Sequence, residues 1–152
     1  MATLHIMVGL PCSGKSTEAK NLEKEHNALL LSPDMWHPKL FGNNITVLEH
    51  DRIHGVMETI MWEHAARVLS LGIDVILDFG FLFKDDRESF RQKAKELGAN
   101  FKIHYMDVSV STLYKRLDKL NKDASSGTFV ISKEDMDRYI SIFQPPSREE
   151  LG

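Results

Sequence analysis

The stretch 8–17, VGLPCSGKST, holds Gly9, Gly14, Lys15 and Ser16 at the spacing G-x-x-x-x-G-K-[ST]. Nothing else in the chain restricts its fold as strongly. In this Walker A pattern the glycines let successive backbone N–H groups turn inward around phosphate. The lysine reaches the β- and γ-phosphates, and the hydroxyl coordinates Mg²⁺. By background composition the pattern arises by chance in roughly one chain in two hundred of this length. Here it also lies where its mechanism needs it, between an apolar stretch, residues 3–8, and a polar helical one. The N-terminal dipole of such a helix favours anions. The spacing therefore predicts a nucleotide-phosphate cradle, with Lys15 on phosphate and Ser16 on Mg²⁺.

The rest of the chain supplies a frame for that turn. Residues 28–31 (ALLL) read as a second strand, ended by Ser32 and Pro33, with a loop after Asp34. From about Thr46, Leu48, Ile53, Val56, Met57, Ile60, Met61, Ala65, Val68 and Leu69 recur at helical spacing. Gly72 stops that helix, and Gly55 inside it marks a bend. Residues 73–81 (IDVILDFGF) form a near-continuous apolar strand of the kind buried on both faces of a parallel sheet. A helix over 85–97, a strand over 101–107 and a helix from Ser109 to about Leu120 follow. The small polar stretch 121–131 reads as a loop. Ser132, with Glu134 and Asp135 behind it, opens a last helix to about Phe143, before Pro145 and Pro146. Strands and helices that take turns in this way give an α/β fold, a parallel sheet with helices on both faces.

Composition narrows the class. A chain of 152 residues predicts a single domain, 1–152. A net charge of −3 gives no global basic field, so a general nucleic-acid binder is disfavoured, while a local groove stays open. One cysteine suits a reducing, cytoplasmic setting, and no run approaches the ~20 apolar residues of a membrane span.

A phosphate cradle serves switches, motors and kinases alike, so other residues must decide. Asp78 ends "VILD", where a Walker B carboxylate would hold Mg²⁺ at the carboxyl edge of the sheet. Asp34, after the second strand, should reach the same edge. Two carboxylates there fit transfer to an acceptor hydroxyl better than they fit a switch. A turn or N-cap aspartate after Pro33 is the plain alternative for Asp34. The guanine-type motif fails in "NKDA" (121–124), and "DFGF" (78–81) lacks a switch glycine at its fourth position. Cys12 reads as a small side chain filling the loop. His50 and His54 have zinc spacing on a helix but no third ligand nearby in sequence, so they read as solvated or core-edge histidines. Trp36, Phe41, Trp62 and Phe83 are candidates to line an acceptor pocket, with ordinary packing favoured for Trp62.

"GLPCSGKST", "LLLSPD…LFG", "VILDFGF…DDRESFR", "VSVSTLYKRLDKLN" and "FQPPSREE" occur in that order. Together they resemble the P-loop kinases of the nucleotide- and polynucleotide-kinase-like group, in particular its AAA-like predicted-kinase family. Relatives of that family include polynucleotide 5′-kinase, chloramphenicol phosphotransferase and the zeta-toxin kinases. The resemblance spans about residues 3–150. It implies a three-layer P-loop fold with strand order 2-3-1-4 and a lid at about 121–131. It implies ATP and Mg²⁺, with the nucleotide held by Gly9, Pro11, Cys12, Ser13, Gly14, Lys15, Ser16, Thr17 and Arg116, and the metal by Ser16 and Asp78. Asp34 matches the aspartate that deprotonates the acceptor hydroxyl, and Arg116 the lid arginine. Arg87 matches a family arginine of less defined role; either arginine could also be a solvated helix charge. Three departures stand out. His37 replaces a frequent arginine three residues after Asp34. Lys119 or Asn121 stands for a second lid arginine, with Lys122 as a substitute. The chain also stops where many relatives add a fifth strand. The expectation is a kinase acting on a small-molecule hydroxyl. A regulatory nucleotide-binding module and a 5′-hydroxyl polynucleotide kinase are the alternatives.

Overall fold

The computed structural model of the protein describes residues 1–42, 47–122 and 131–152. The elements in order are β1 (Thr3–Val8), α1 (Lys15–His26), β2 (Leu29–Leu31), α2 (Pro33–Phe41), α3 (Val47–Ser70) and β3 (Val75–Gly80). Then come α4 (Lys84–Glu96), β4 (Asn100–Tyr105), α5 (Val110–Lys122), α6 (Lys133–Ile142) and α7 (Arg148–Leu151). The strands form one sheet in the order β2-β3-β1-β4, every pairing parallel, as the P-loop resemblance implied. Among the described residues no helix is long and apolar enough to cross a membrane.

Strand alternation assigns the two faces. Leu4, Ile6 and Val8 of β1, with Val75 and Leu77 of β3, pack against Met61, Ala65 and Leu69 of α3 and Ala94 of α4. Met7 and Ile76 point the other way, onto Ala19 and Leu22 of α1. Both β1 and β3 are almost wholly buried, so neither shows the polar alternate positions of a half-exposed strand. Each such side chain contributes roughly 1.5–3 kcal/mol on leaving water. His5 of β1 and Asp78 of β3 are the buried polar exceptions, and His5 is held by side-chain partners. Its Nδ1 lies 2.9 Å from His104 Nε2, and its Nε2 lies 3.2 Å from Asp74 Oδ2. The other Asp74 oxygen accepts the Thr3 N–H at 2.8 Å.

Two helices depart from the sequence expectation. Residues 33–41 form α2 rather than a loop. Pro33 occupies its first turn, where a fixed φ is suitable and the missing N–H is not needed. Pro38 removes only one internal bond, and Gly42, at φ 68°, ends the helix. Beyond Pro145 and Pro146, α7 forms through a capping box. Ser147 Oγ accepts from the Glu150 N–H at 3.2 Å, and the Glu150 carboxylate accepts from the Ser147 N–H at 2.7 Å. Gly55 lies within the continuous helix α3. Of the expected lid, residues 123–130 lie outside the described residues. Asn121 Nδ2 donates to Ile131 O at 2.9 Å.

Candidate phosphate and acceptor site

The carboxyl ends of β1 and β3 meet at the Gly-rich turn. The Gly9 N–H donates to Gly80 O at 3.1 Å, which fixes where the loop leaves the sheet. A side chain at Gly9 would run its Cβ to 2.7 Å from Ser13 Oγ, so only glycine lets the loop fold this tightly. Cys12 and Gly14 both take left-handed backbone conformations, at φ 68° and 92°. Gly14 occupies the N-cap position of α1 and has no side chain to cap it. The first-turn N–H groups beginning at Lys15 are therefore left facing outward, an anion site by construction. Burial pushes the Cys12 thiol up, and nearby Lys15 and Arg116 offset this only in part, so the cysteine is a neutral loop side chain.

Asp78 is the centre of the polar network. It is 1% exposed, and its Oδ2 accepts from Ser16 Oγ at 2.8 Å and from Ser32 Oγ at 2.9 Å. Lys15 Nζ stands 3.9 Å from Oδ1, which has no hydrogen-bond partner among the described residues. A buried carboxylate oxygen without a donor is costly unless something else meets it. Ser16 and Asp78 together present hard oxygen donors of the kind Mg²⁺ takes, beside the lysine and the exposed helix end that phosphate takes. The residues present fit a Mg²⁺–nucleotide.

The remaining expected residues fall in two groups. Arg116 of α5 reaches back to the loop, its Nη1 donating to Cys12 O at 3.0 Å. Asp34 sits in the first turn of α2 with its carboxylate half exposed, and Ser32 rather than Asp34 takes the N-cap position. Asp34 Oδ1 lies 3.8 Å from His54 Nδ1 on α3. Arg87 belongs elsewhere. It is 1% exposed and forms a fork with Glu150, at 2.9 and 3.3 Å, while its Nη1 donates to Phe81 O at 2.9 Å. The solvated reading of Arg87 is corrected: it ties α7 to the end of β3.

The four aromatic candidates divide between two cavities. Trp62 and Phe83 line one of about 560 Å³ between α3 and α4, with Phe79, Phe81, Phe90, Glu58, Glu63, Asp86 and Lys93. Lys93 Nζ lies 4.3 Å from the centre of the Phe90 ring. Burial, with Asp86 and Asp34 adding to it, pushes Glu58 up to about 7. Trp36 and Phe41 line a second, more apolar cavity of about 430 Å³ with Ile53, Val56, Met57 and Ile60. Sequence reasoning missed Glu58 and Asp86, and it named His37 only as a departure from the family pattern. Those two acids look like any helix carboxylates in sequence, and only the fold brings them to the rim of one cavity.

Residues 4–146 match the family model described as an AAA domain. The chain belongs to that family. Its fold is P-loop kinase-like, a four-stranded parallel sheet in the order 2-3-1-4 with helices around it. A candidate kinase of Chloroflexus aurantiacus superposes with a TM-score of 0.75 at 20% identity, over 95% of this chain and 78% of that one. A chain of the Pnkp1/Rnl/Hen1 RNA repair complex gives 0.70 at 22% identity, over 97% of this chain and 48% of that one. A sugar kinase of Janibacter gives 0.67 at 15% identity, over 100% and 83%. At these identities the likeness is one of fold. No curated protein sequence matches the chain.

Proposed function

We propose that this domain is an ATP- and Mg²⁺-dependent kinase that phosphorylates a hydroxyl of a small molecule. The observation that carries this reading is the orphaned Asp78 oxygen beside Ser16 and Lys15 at the uncapped end of α1. In this account Gly9 and Pro11 to Thr17 hold the phosphates, and Ser16 and Asp78 hold the metal. Bound Mg²⁺ supplies charge neutralisation and alignment of the phosphates. Lys15 and Arg116 add positive charge where negative charge develops, the main source of rate in phosphoryl transfer. Asp34 takes the proton of the acceptor hydroxyl as the oxygen–phosphorus bond forms and the bond to the leaving diphosphate breaks. Cytoplasmic residence and a single domain over 1–152 belong to the same reading.

The acceptor preference rests on the cavity between α3 and α4. Its aromatic walls offer ring faces, while Glu63 and Asp86, with Glu58 beside them, outnumber Lys93. Such a lining suits a neutral or cationic ring-bearing alcohol and repels a phosphodiester backbone. The RNA-repair neighbour keeps a polynucleotide 5′-hydroxyl as a competing acceptor. The test is ATP consumption in the presence of Mg²⁺ with nucleosides, sugars, amino alcohols and 5′-hydroxyl oligonucleotides. Transfer to a small alcohol, abolished by Lys15→Ala, is the expected result. Transfer to oligonucleotides alone would overturn the acceptor assignment, and nucleotide binding with no transfer to any class would favour the regulatory module.

A further inference from the structure

Three histidines outside the phosphate site converge between α2 and α3. His50 and His54 stand one turn apart on α3, with ring centres 3.9 Å apart. His37 of α2 packs onto both, at 4.8 and 5.2 Å. One ring nitrogen from each of the three lies within 4.8 Å of the other two. Tetrahedral coordination at ~2.0–2.1 Å per bond sets ligand atoms ~3.3 Å apart, so the rings must draw in by up to about 1.5 Å on an ion. The linear sequence hides the cluster because His37 is supplied by a helix not expected there.

The immediate surroundings resemble a ligand shell more than packed rings. His37 and His50 are buried, at 1% and 8% exposure. His54 Nε2 is enclosed and meets no hydrogen-bond partner among the described residues. Its Nδ1 faces Asp34 Oδ1 at 3.8 Å, and His50 Nδ1 faces Asp51 Oδ1 at 3.4 Å. A carboxylate behind one nitrogen, with the other nitrogen directed at an ion, is the usual second layer of a histidine metal site. Arg138 and Tyr139 of α6 in turn hold Asp51. A second group of potential ligands is His5, His26 and Asp74. Both nitrogens of its buried member, His5, are already committed, to His104 and Asp74.

We propose that His37, His50 and His54 bind a divalent transition ion of the zinc class, which clamps α2 to α3 and fixes the helix that carries Asp34. Imidazole nitrogens select Zn²⁺, Co²⁺, Ni²⁺ or Cu²⁺ over Mg²⁺, whose donors are oxygens. The site is thus chemically separate from the one formed by Ser16 and Asp78. It does not depend on the kinase reading, since no loop residue takes part.

The test is Co²⁺ titration of the untagged full-length chain after chelator treatment, with Mg²⁺ in millimolar excess. One equivalent should bind, with visible d–d absorption of a nitrogen-ligated ion, be displaced by Zn²⁺, and raise the Tm. His54→Ala should abolish the band, whereas Lys15→Ala, in the phosphate loop, should keep it. Asp51→Asn leaves all three ligands in place and should weaken binding roughly tenfold to a hundredfold. Wild-type protein that gives no band and no Tm shift overturns the proposal. So does Co²⁺ binding that His54→Ala and Asp51→Asn both leave unchanged.

Discussion

Ser16 Oγ donates to Asp78 Oδ2 at 2.8 Å, joining the first turn of α1 to the third strand at the open end of the sheet. The two residues are 62 positions apart, and neither would be near the other without the parallel pairing of β1 with β3. The bond holds a hydroxyl and a buried carboxylate side by side, as a divalent cation requires.

Nucleotide binding should therefore fail in a graded way. Mg²⁺ and ATP at a hundred times the Kd should stabilise the wild type by about 2.7 kcal/mol. Lys15→Ala should lose most of that shift with or without metal. Asp78→Asn should lose chiefly the Mg²⁺-dependent part. Melting curves with ATP, with and without Mg²⁺, make the comparison. Equal shifts in all three proteins would contradict a phosphate cradle at Gly9 to Ser16.

The Arg87–Glu150 pair is structural in this account. Burial alone would raise the Glu150 carboxyl, but hydrogen bonds from Arg87 and Ser147 hold it below the usual glutamate value. Glu150→Gln or Arg87→Met should cost about 3–5 kcal/mol, because each leaves a buried partner uncompensated. The double variant Arg87→Met/Glu150→Leu should cost much less than the sum of the single losses. Urea unfolding of the three variants checks this, and additive losses would contradict a coupled pair.

Two groups should shape the pH dependence of stability in opposite directions. Burial, aided by His5, Lys102 and His26, pushes His104 down to about 4. An unfolded histidine binds its proton near ~6.5, so this contribution is full above that pH and is lost as pH falls towards 4. Glu58 is raised to about 7, so the folded state holds a proton that the unfolded chain releases near ~4.5. Its contribution is full at low pH and is lost as pH rises through 7. Between pH 5 and 8, Glu58→Gln should gain roughly 2 kcal/mol on the wild type. His104→Gln should instead flatten the acid side. A Glu58→Gln advantage that does not vary with pH would contradict the buried-carboxyl account.

Much of this was legible in the chain. The loop from Gly9 to Ser16 is local, so its spacing alone predicts the turn, and strand–helix alternation predicts the sheet. The errors arose where proline was read as a breaker. Pro33 initiates α2, and the Ser147–Glu150 box rebuilds a helix just after Pro146. Side-chain partners across the fold were beyond reach: Glu150 lies 63 residues from Arg87, and His37 meets His50 only through helix packing. The pocket aromatics were named from composition, but their division between two cavities depends on which face of α3 each one meets.

Asp34 separates an enzyme from a binding module, because no phosphate contact needs it. Its carboxylate is half exposed and does not occupy the cap position of α2, so Asp34→Asn should leave melting almost unchanged. The direct measurement is phosphoryl transfer per folded molecule by Asp34→Asn, alongside ATP affinity and Tm. A general base predicts a loss on the order of 10² to 10⁴ in turnover, about 3–5 kcal/mol of barrier, with ATP affinity retained. An Asp34→Asn protein that transfers phosphate at the wild-type rate would contradict the account.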